Sequence, residues 1–177
     1  ALDGIDVIVQ AAATTSGSKD IVERPHIHIT DNAVMNSYLM REAYEKSIDQ
    51  FIFFSCTVMY SSRDKPHDEN SFNYSESIND SYFGGAWTKL YIEKMAQFYA
   101  NLGRTRYTIA RHSNIYGPHD KFDLQRSHVF GATITKVLTS EKNVTIWGTG
   151  EEKRDLLYVD DLIDFVQFSI DTQRPRF

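Results

Sequence analysis

The sequence predicts an α/β fold, a parallel sheet flanked by helices and followed by part of a smaller region. Three observations carry that prediction. Short apolar runs recur near residues 5–10, 51–54 and 107–110; the segments between them show amphipathic helical spacing; and the connections are too long for hairpins, as parallel neighbours require.

Taken in order, Ile5, Val7, Ile8 and Val9 put a nearly continuous apolar run at the beginning, the pattern of a strand buried on both faces, and a natural domain rarely opens this way. Asp31 or Asn32 is placed to cap a helix reaching about Lys46, along which Met35, Tyr38, Leu39, Glu42, Ala43 and Lys46 recur at helical spacing. Phe51, Ile52, Phe53 and Phe54 supply the second strand. Residues 61–81, rich in Ser, Asp and Asn without apolar periodicity, read as a long exposed loop of the kind that often carries function. Trp87, Leu90, Tyr91, Lys94, Met95, Phe98 and Tyr99 mark a second amphipathic helix, closed by Gly103 as a C-terminal cap. The third strand is Tyr107, Thr108, Ile109 and Ala110. Beyond Gly117 come a polar loop, a helix over about 127–138, a short strand over 144–147 and a helix beginning near Asp160. Residues 1–116 are expected to form the sheet-based unit, and 117–177 a partial region at its carboxyl edge, where open α/β sheets bind ligands.

Composition excludes several classes. A net charge of -5 with no basic run argues against a nucleic-acid binder, which neutralises phosphates with clustered Lys and Arg. The single cysteine, Cys56, rules out an intrachain disulfide and suits the cytoplasm. No apolar stretch is long enough to span a bilayer, and the beginning has no secretory pattern, so no membrane association is expected. No metal site is expected either.

Four ordered segments resemble the extended short-chain dehydrogenase/reductases, the NAD-dependent epimerase/dehydratase family. The first runs from Asp3 to Ala13, where Ala11, Ala12 and Ala13 follow a strand; small residues there let backbone approach a ligand, or simply end a buried strand. The second is Phe53-Phe54-Ser55-Cys56-Thr57-Val58-Met59-Tyr60, where the family has a catalytic hydroxyl four residues before the tyrosine. That position is Cys56, with Ser55 and Thr57 as alternative hydroxyls; Cys56 also reads as a small buried hydrophobe. The third opens a helix, Tyr82-Phe83-Gly84-Gly85-Ala86-Trp87-Thr88-Lys89. The family's lysine is present as Lys89, but its tyrosine partner position is Gly85, and Tyr82 lies about 10 Å further along an ideal helix unless the two glycines break the helix and turn it inward. In the family that lysine binds the nicotinamide ribose and lowers the tyrosine's pKa. The fourth, Arg111-His112-Ser113-Asn114-Ile115-Tyr116-Gly117-Pro118, ends in the family's Tyr-Gly-Pro, which implies cofactor contacts for Tyr116, Gly117 and Pro118 and a substrate contact for Asn114; a turn at the strand exit explains the same residues structurally.

Within the family, Asn114 to Phe122 followed by Ser127-His128-Val129 resembles the GDP-fucose synthase branch. There the histidine is an acid for sugar epimerisation, a role that falls on His128; a polar residue at a helix start is the alternative. That branch's cysteine base falls on Val58; strand alternation places Cys56 on the same face, from where it would act displaced by one strand pair. Trp147-Gly148-Thr149-Gly150 and the run from Arg154 to Leu162 resemble the nucleotide-sugar contact region. This implies Arg154 as a diphosphate ligand, or a surface salt bridge with Glu151, Glu152 or Asp155, and Lys136 as a second phosphate contact. Asp160 and Asp161 read as helix caps.

The resemblance thus implies part of a Rossmann-type sheet, NAD or NADP as cofactor, a nucleotide-sugar substrate and a homodimer built from the helices near residues 32–46 and 85–100. The family's Gly-rich pyrophosphate turn is not among these residues, so a fragment of an epimerase, reductase or dehydratase is expected, inactive alone. The alternative is a nucleotide-binding relative impaired by Gly85.

Overall fold

The run from Phe51 to Phe54 needs burial on both faces, and it obtains it at the centre of a parallel sheet. In the computed structural model, which describes residues 2–15, 23–61, 65–124, 127–146 and 148–177, the strand β2 (Gln50–Cys56) lies between β1 (Val7–Gln10) and β3 (Arg106–His112) in the order β1-β2-β3. Gln10 stands opposite Phe53, and Cys56 opposite His112, so the carboxyl ends of all three strands emerge along one edge.

Helices α1 (Thr30–Glu45) and α2 (Phe83–Leu102) cover one face. Met40 and Ala43 from α1 and Ile92, Ala96 and Ala100 from α2 enclose Phe51, Phe53 and Tyr107. Strand alternation puts Phe51, Phe53 and Ser55 on that face beside their register partners Tyr107, Ile109 and Arg111. The other face carries Gln50, Phe54, Cys56, Thr108 and His112. It meets α4 (Val159–Thr172) near the helix's end, where the Gln50 side-chain amide donates to Ser169 O (2.8 Å) and Gln173 Oε1 (2.6 Å) and the Thr108 hydroxyl donates to that same Gln173 oxygen (2.7 Å).

Several expectations change in detail. β1 is not buried on both faces, because it is the edge of this three-stranded sheet and Val9 is 41% exposed. Neither Asp31 nor Asn32 caps α1: the helix starts at Thr30, and Asn32 is buried within the first turn. The buried stripes are Asn32, Asn36, Met40 and Ala43 on α1, and Ala86, Leu90, Glu93, Ala96 and Ala100 among others on α2. Large aromatics misled the helical reading, since Tyr38, Trp87, Tyr91 and Phe98 all face outward while small alanines let the helices approach the sheet. Residues 61–81 are largely exposed where described, carrying short 3₁₀ turns at Glu69–Ser71 and Asp80–Tyr82, and Ile78 anchors the loop against Met59, Ala86 and Leu90. Gly103 closes α2 in the left-handed conformation, φ 89°, as expected.

Beyond β3 the chain forms a separate two-stranded parallel sheet, β4 (Asn114–Tyr116) with β5 (Leu156–Tyr158), joined through α3 (Val129–Thr139). The expected strand over 144–147 is absent from residues 144–146, and Trp147 lies outside the described residues; the strand that forms is β5. Asp160 and Asp161 lie in the first turn of α4 without a side-chain cap bond, so they act on the helix start through charge. Among the described residues no helix is long and apolar enough to cross a membrane.

One ion pair ties the sheet to α2. Arg111 Nη2 lies 2.6 Å from Glu93 Oε2, with side chains 19% and 7% exposed. Removing one partner of such a pair strands the other, which costs about 3 kcal/mol, the lower end of the usual range because Arg111 keeps some contact with water. Glu93→Ala in the intact protein should therefore lower stability by that amount in guanidinium unfolding. Glu93→Leu combined with Arg111→Met should cost much less than the sum of the single changes.

Candidate functional site

The carboxyl edge of the parallel sheet collects the residues that the four motifs singled out. After β1, Ala11, Ala12 and Ala13 are exposed, and amides fix the chain on either side of them. Gln10 Nε2 donates to Asn36 Oδ1 (3.1 Å), while Asn32 accepts from Thr14 N (2.9 Å) and donates to Thr14 O (3.0 Å). The polar buried stripe of α1 thereby holds a small-residue segment open at the strand end.

At the end of β2 the three candidate side chains diverge. Ser55 is fully buried and its hydroxyl donates to Glu93 Oε1 at 2.5 Å, so it is committed to the protein interior. Cys56 points to the opposite face; burial pushes its thiol pKa up, partly offset by a backbone hydrogen bond from Val58 and the charge of Lys89. Thr57 lies in the turn that follows, where its carbonyl accepts from Tyr60 N at 3.1 Å. Since the strand ends at Cys56, Val58 belongs to that turn, and the expected shared face of Cys56 and Val58 does not hold.

Lys89 reaches the same edge from α2. Its ammonium donates to Phe54 O at 2.7 Å and lies 4.6 Å from the centre of the Phe53 ring, and burial lowers its pKa. The helix runs unbroken through Gly84 and Gly85, so Tyr82 is not swung inward; it precedes the first turn of α2 and is exposed. The two glycines differ. A Cβ on Gly84 would fall 2.3 Å from Ile29 Cδ1, whereas one on Gly85 would meet nothing within 4 Å. Close packing requires the first, and open space surrounds the second.

The end of β3 adds residues that motif reading passed over. Arg111 grips Glu93 through Nε and Nη2 and donates from Nη1 to the Tyr60 phenol at 2.8 Å. His112 pairs across the strands with Cys56, its Nδ1 lies 2.7 Å from Ser113 O, and its ring meets Phe54 edge-on at 6.1 Å. Burial, with the nearby charges of Lys89 and His128, lowers its pKa, against the pull of the Ser113 carbonyl. His112 lies inside the fourth motif, but nothing in linear spacing shows that its ring is largely buried against Phe54.

Around the second sheet the expected ligands are dispersed. Asn114 ties β4 to the strand opposite by donating from Nδ2 to Asp155 O (3.1 Å). Tyr116 stacks near Phe130 (4.4 Å) and Tyr158 (5.4 Å). Gly117 must be glycine, because φ is 158° and a Cβ would sit 2.5 Å from Val159 Cγ1; Pro118 follows, exposed. His128 immediately precedes α3 and is exposed without a side-chain cap bond, close enough to His112 to act on its charge. Lys136 donates to Thr145 O (3.1 Å). Arg154 is exposed and donates to Lys153 O (3.2 Å), while Glu152, a candidate salt-bridge partner, instead accepts from Thr149 N and Gly150 N (2.9 Å each). Lys89 from α2 and His112 from β3 thus both reach the carboxyl edge of the sheet.

Known proteins share this arrangement of strands. The family model of the NAD dependent epimerase/dehydratase family matches residues 1–176. The GDP-L-colitose synthase of Yersinia pseudotuberculosis is 28% identical over 96% of this chain and 57% of its own length. A probable GDP-L-fucose synthase 1 of Oryza sativa subsp. japonica is 30% identical over 93% and 52%. The chain thus spans about half the length of the curated relatives it matches. Among solved structures, a UDP-N-acetylglucosamine 4-epimerase from Methanobrevibacter ruminantium superposes with a TM-score of 0.82 at 22% identity, over 98% of this chain and 54% of that one. The UDP-glucuronic acid 4-epimerase of Bacillus cereus gives 0.80 at 24%, over 99% and 52%. These likenesses establish the fold.

The thiol's environment sets a reactivity. With its pKa raised, Cys56 holds less thiolate at any pH than a free thiol, and thiolate is the reacting form. Iodoacetamide should therefore label Cys56 more slowly than glutathione at neutral pH, the gap closing only in alkali. Lys89→Met, which removes a charge that lowers the pKa, should slow labelling further; mass spectrometry of the modified peptide against time reads both.

Proposed function

As the chain belongs to the NAD dependent epimerase/dehydratase family, we propose that the intact protein is an NAD(P)-dependent enzyme that epimerises, reduces or dehydrates a nucleotide-activated sugar in the cytoplasm. The observation that carries this reading is Lys89: the resemblance of the Tyr82–Lys89 segment implies the family's lysine there, and its ammonium reaches the carboxyl end of the central strand beside the open space at Gly85. In this reading residues 1–116 belong to the cofactor-binding unit and 117–177 to the substrate region.

The residues fit the nicotinamide half of a dinucleotide. Ala11, Ala12 and Ala13 leave the edge uncovered, no side chain fills the space at Gly85, and Lys89 supplies a cation there for ribose hydroxyls. When bound, the cofactor supplies hydride exchange. Tyr116, Gly117 and Pro118 border its nicotinamide end, Asn114 and His128 meet the sugar, and the exposed fork of Arg154, assisted by Lys136, meets the diphosphate. The relatives named for GDP-L-colitose, GDP-L-fucose and dTDP-sugar chemistry support a sugar nucleotide as substrate.

A homodimer is part of the same proposal. Val34 and Tyr38 on α1 and Trp87, Tyr91 and Phe98 on α2 are exposed, and Ser37 Oγ lies 3.3 Å from Tyr91 Oη, linking the two helices into one surface. Such a broad apolar face suits a self-complementary contact.

In the intact protein, calorimetry should show NAD⁺ or NADP⁺ binding, weakened roughly 10-fold by Lys89→Met. Turnover of a sugar nucleotide should fall with it. Cofactor binding unaffected by the substitution sinks the assignment of Lys89, and binding without turnover on any sugar nucleotide would move the reading to the impaired relative. Sedimentation should give a dimer that Tyr91→Glu dissociates.

A further inference from the structure

Resting on the nucleotide-sugar reading, we propose that His112 is the residue that exchanges a proton with the sugar oxygen at the reacting carbon, through its Nε2 atom.

The strand ends present few groups able to do this. Gly85 carries no phenol, and Tyr82 is exposed ahead of α2. The Ser55 hydroxyl is committed to Glu93, Lys89 to Phe54 O. Cys56 is held as a thiol by burial, and the Thr57 hydroxyl has no acid-base chemistry near neutrality. His112 differs from all of these. Because a carbonyl only accepts, the 2.7 Å contact with Ser113 O requires the proton on Nδ1, which leaves the lone pair of the neutral ring on Nε2. Phe54, meeting the ring edge-on at 89°, holds its plane. Nε2 itself has no partner among the described residues and is not sealed off, since the buried side-chain atom without a partner is Asp120 Oδ2.

The groups that face His112 favour the accepting form. Lys89 comes from α2, His128 from the start of α3 and the Cys56 thiol from β2. Burial and the charge of Lys89 oppose a second proton on the ring, which favours the neutral form able to take one from substrate. In the oxidative direction the sugar O–H bond would break with its proton going to Nε2, and an oxidised nicotinamide, when bound, would supply the acceptor for the hydride from the same carbon. Reduction runs the same transfers backwards. Burial and the charge of Lys89 disfavour the imidazolium, so Nε2 returns the proton readily.

The test uses the intact protein with UDP-glucose, GDP-L-fucose and dTDP-glucose as probes. In histidine-labelled protein, with His112→Asn used for assignment, the His112 Nε2 resonance should titrate below the ordinary imidazole range and move when a probe binds. His112→Asn should keep probe affinity within about 3-fold, lower kcat roughly 100-fold, and remove the acidic limb of the kcat/KM profile. Because the wild-type resonance is read directly, the result does not hang on the variant folding. Wild type that binds a probe without moving that resonance, or a variant with unchanged rate and pH profile, overturns the role of His112 alone. Wild type that binds none of the probes overturns the nucleotide-sugar reading and this inference with it.

Discussion

The carboxylate of Glu93 organises this structure. It lies buried on α2 and accepts from Ser55 at the end of β2 and from Arg111 at the end of β3, and Arg111 passes the restraint on to Tyr60 in the following turn. A carboxylate in that position is tolerable only when its lone pairs are filled, and they are filled by groups from two different strands. The relative position of α2 and the strand ends is therefore fixed at one point. Lys89 lies one helical turn before Glu93, so the same fixation delivers its ammonium to Phe54 O.

This division of labour follows strand alternation. Ser55 and Arg111 face α2 and serve the scaffold; Cys56 and His112, one residue on, face away from it. The end of β3 thus contributes one structural group, Arg111, and one uncommitted group, His112. The motif around Ser55, Cys56 and Thr57 looks ambiguous as a string because three small polar residues adjoin, yet the sheet separates them. Glu93 takes the serine, burial keeps the thiol protonated, and the turn carries the threonine.

The parallel strands, the crossover helices and the cap at Gly103 are legible because each rests on a local rule: apolar runs, helical spacing and left-handed backbone. The faces of the helices were less so. Helical spacing on α2 is satisfied both by Trp87, Tyr91 and Phe98 and by Ala86, Glu93, Ala96 and Ala100, and hydrophobicity alone prefers the aromatics. What decides is close approach to the sheet, which favours small residues and one partnered carboxylate. Glu93 could not be recognised as buried without Arg111 and Ser55, which are distant in sequence and meet only in the fold. Likewise β5 was hidden because its three residues gain strand character only by pairing with β4, and the more apolar run at 144–146 has no such partner.

The paired glycines at the start of α2 sharpen the chemical reading. A glycine within a helix costs about 1 kcal/mol relative to alanine, so each needs a reason. Gly84 has one in the approach of Ile29, whose side chain would have to move to admit a Cβ. Gly85 has none in the protein itself, since its Cβ would enter open space beside the lysine. Packing therefore does not explain its lack of a side chain, and that space lies where the family's phenol would begin. A proton-transfer group must then come from another element. Of the strands ending at this edge, β3 supplies an imidazole whose one nitrogen is fixed by the backbone and whose other is uncommitted. In the proposed reading, the open space on the helix and the imidazole on the strand belong to one site.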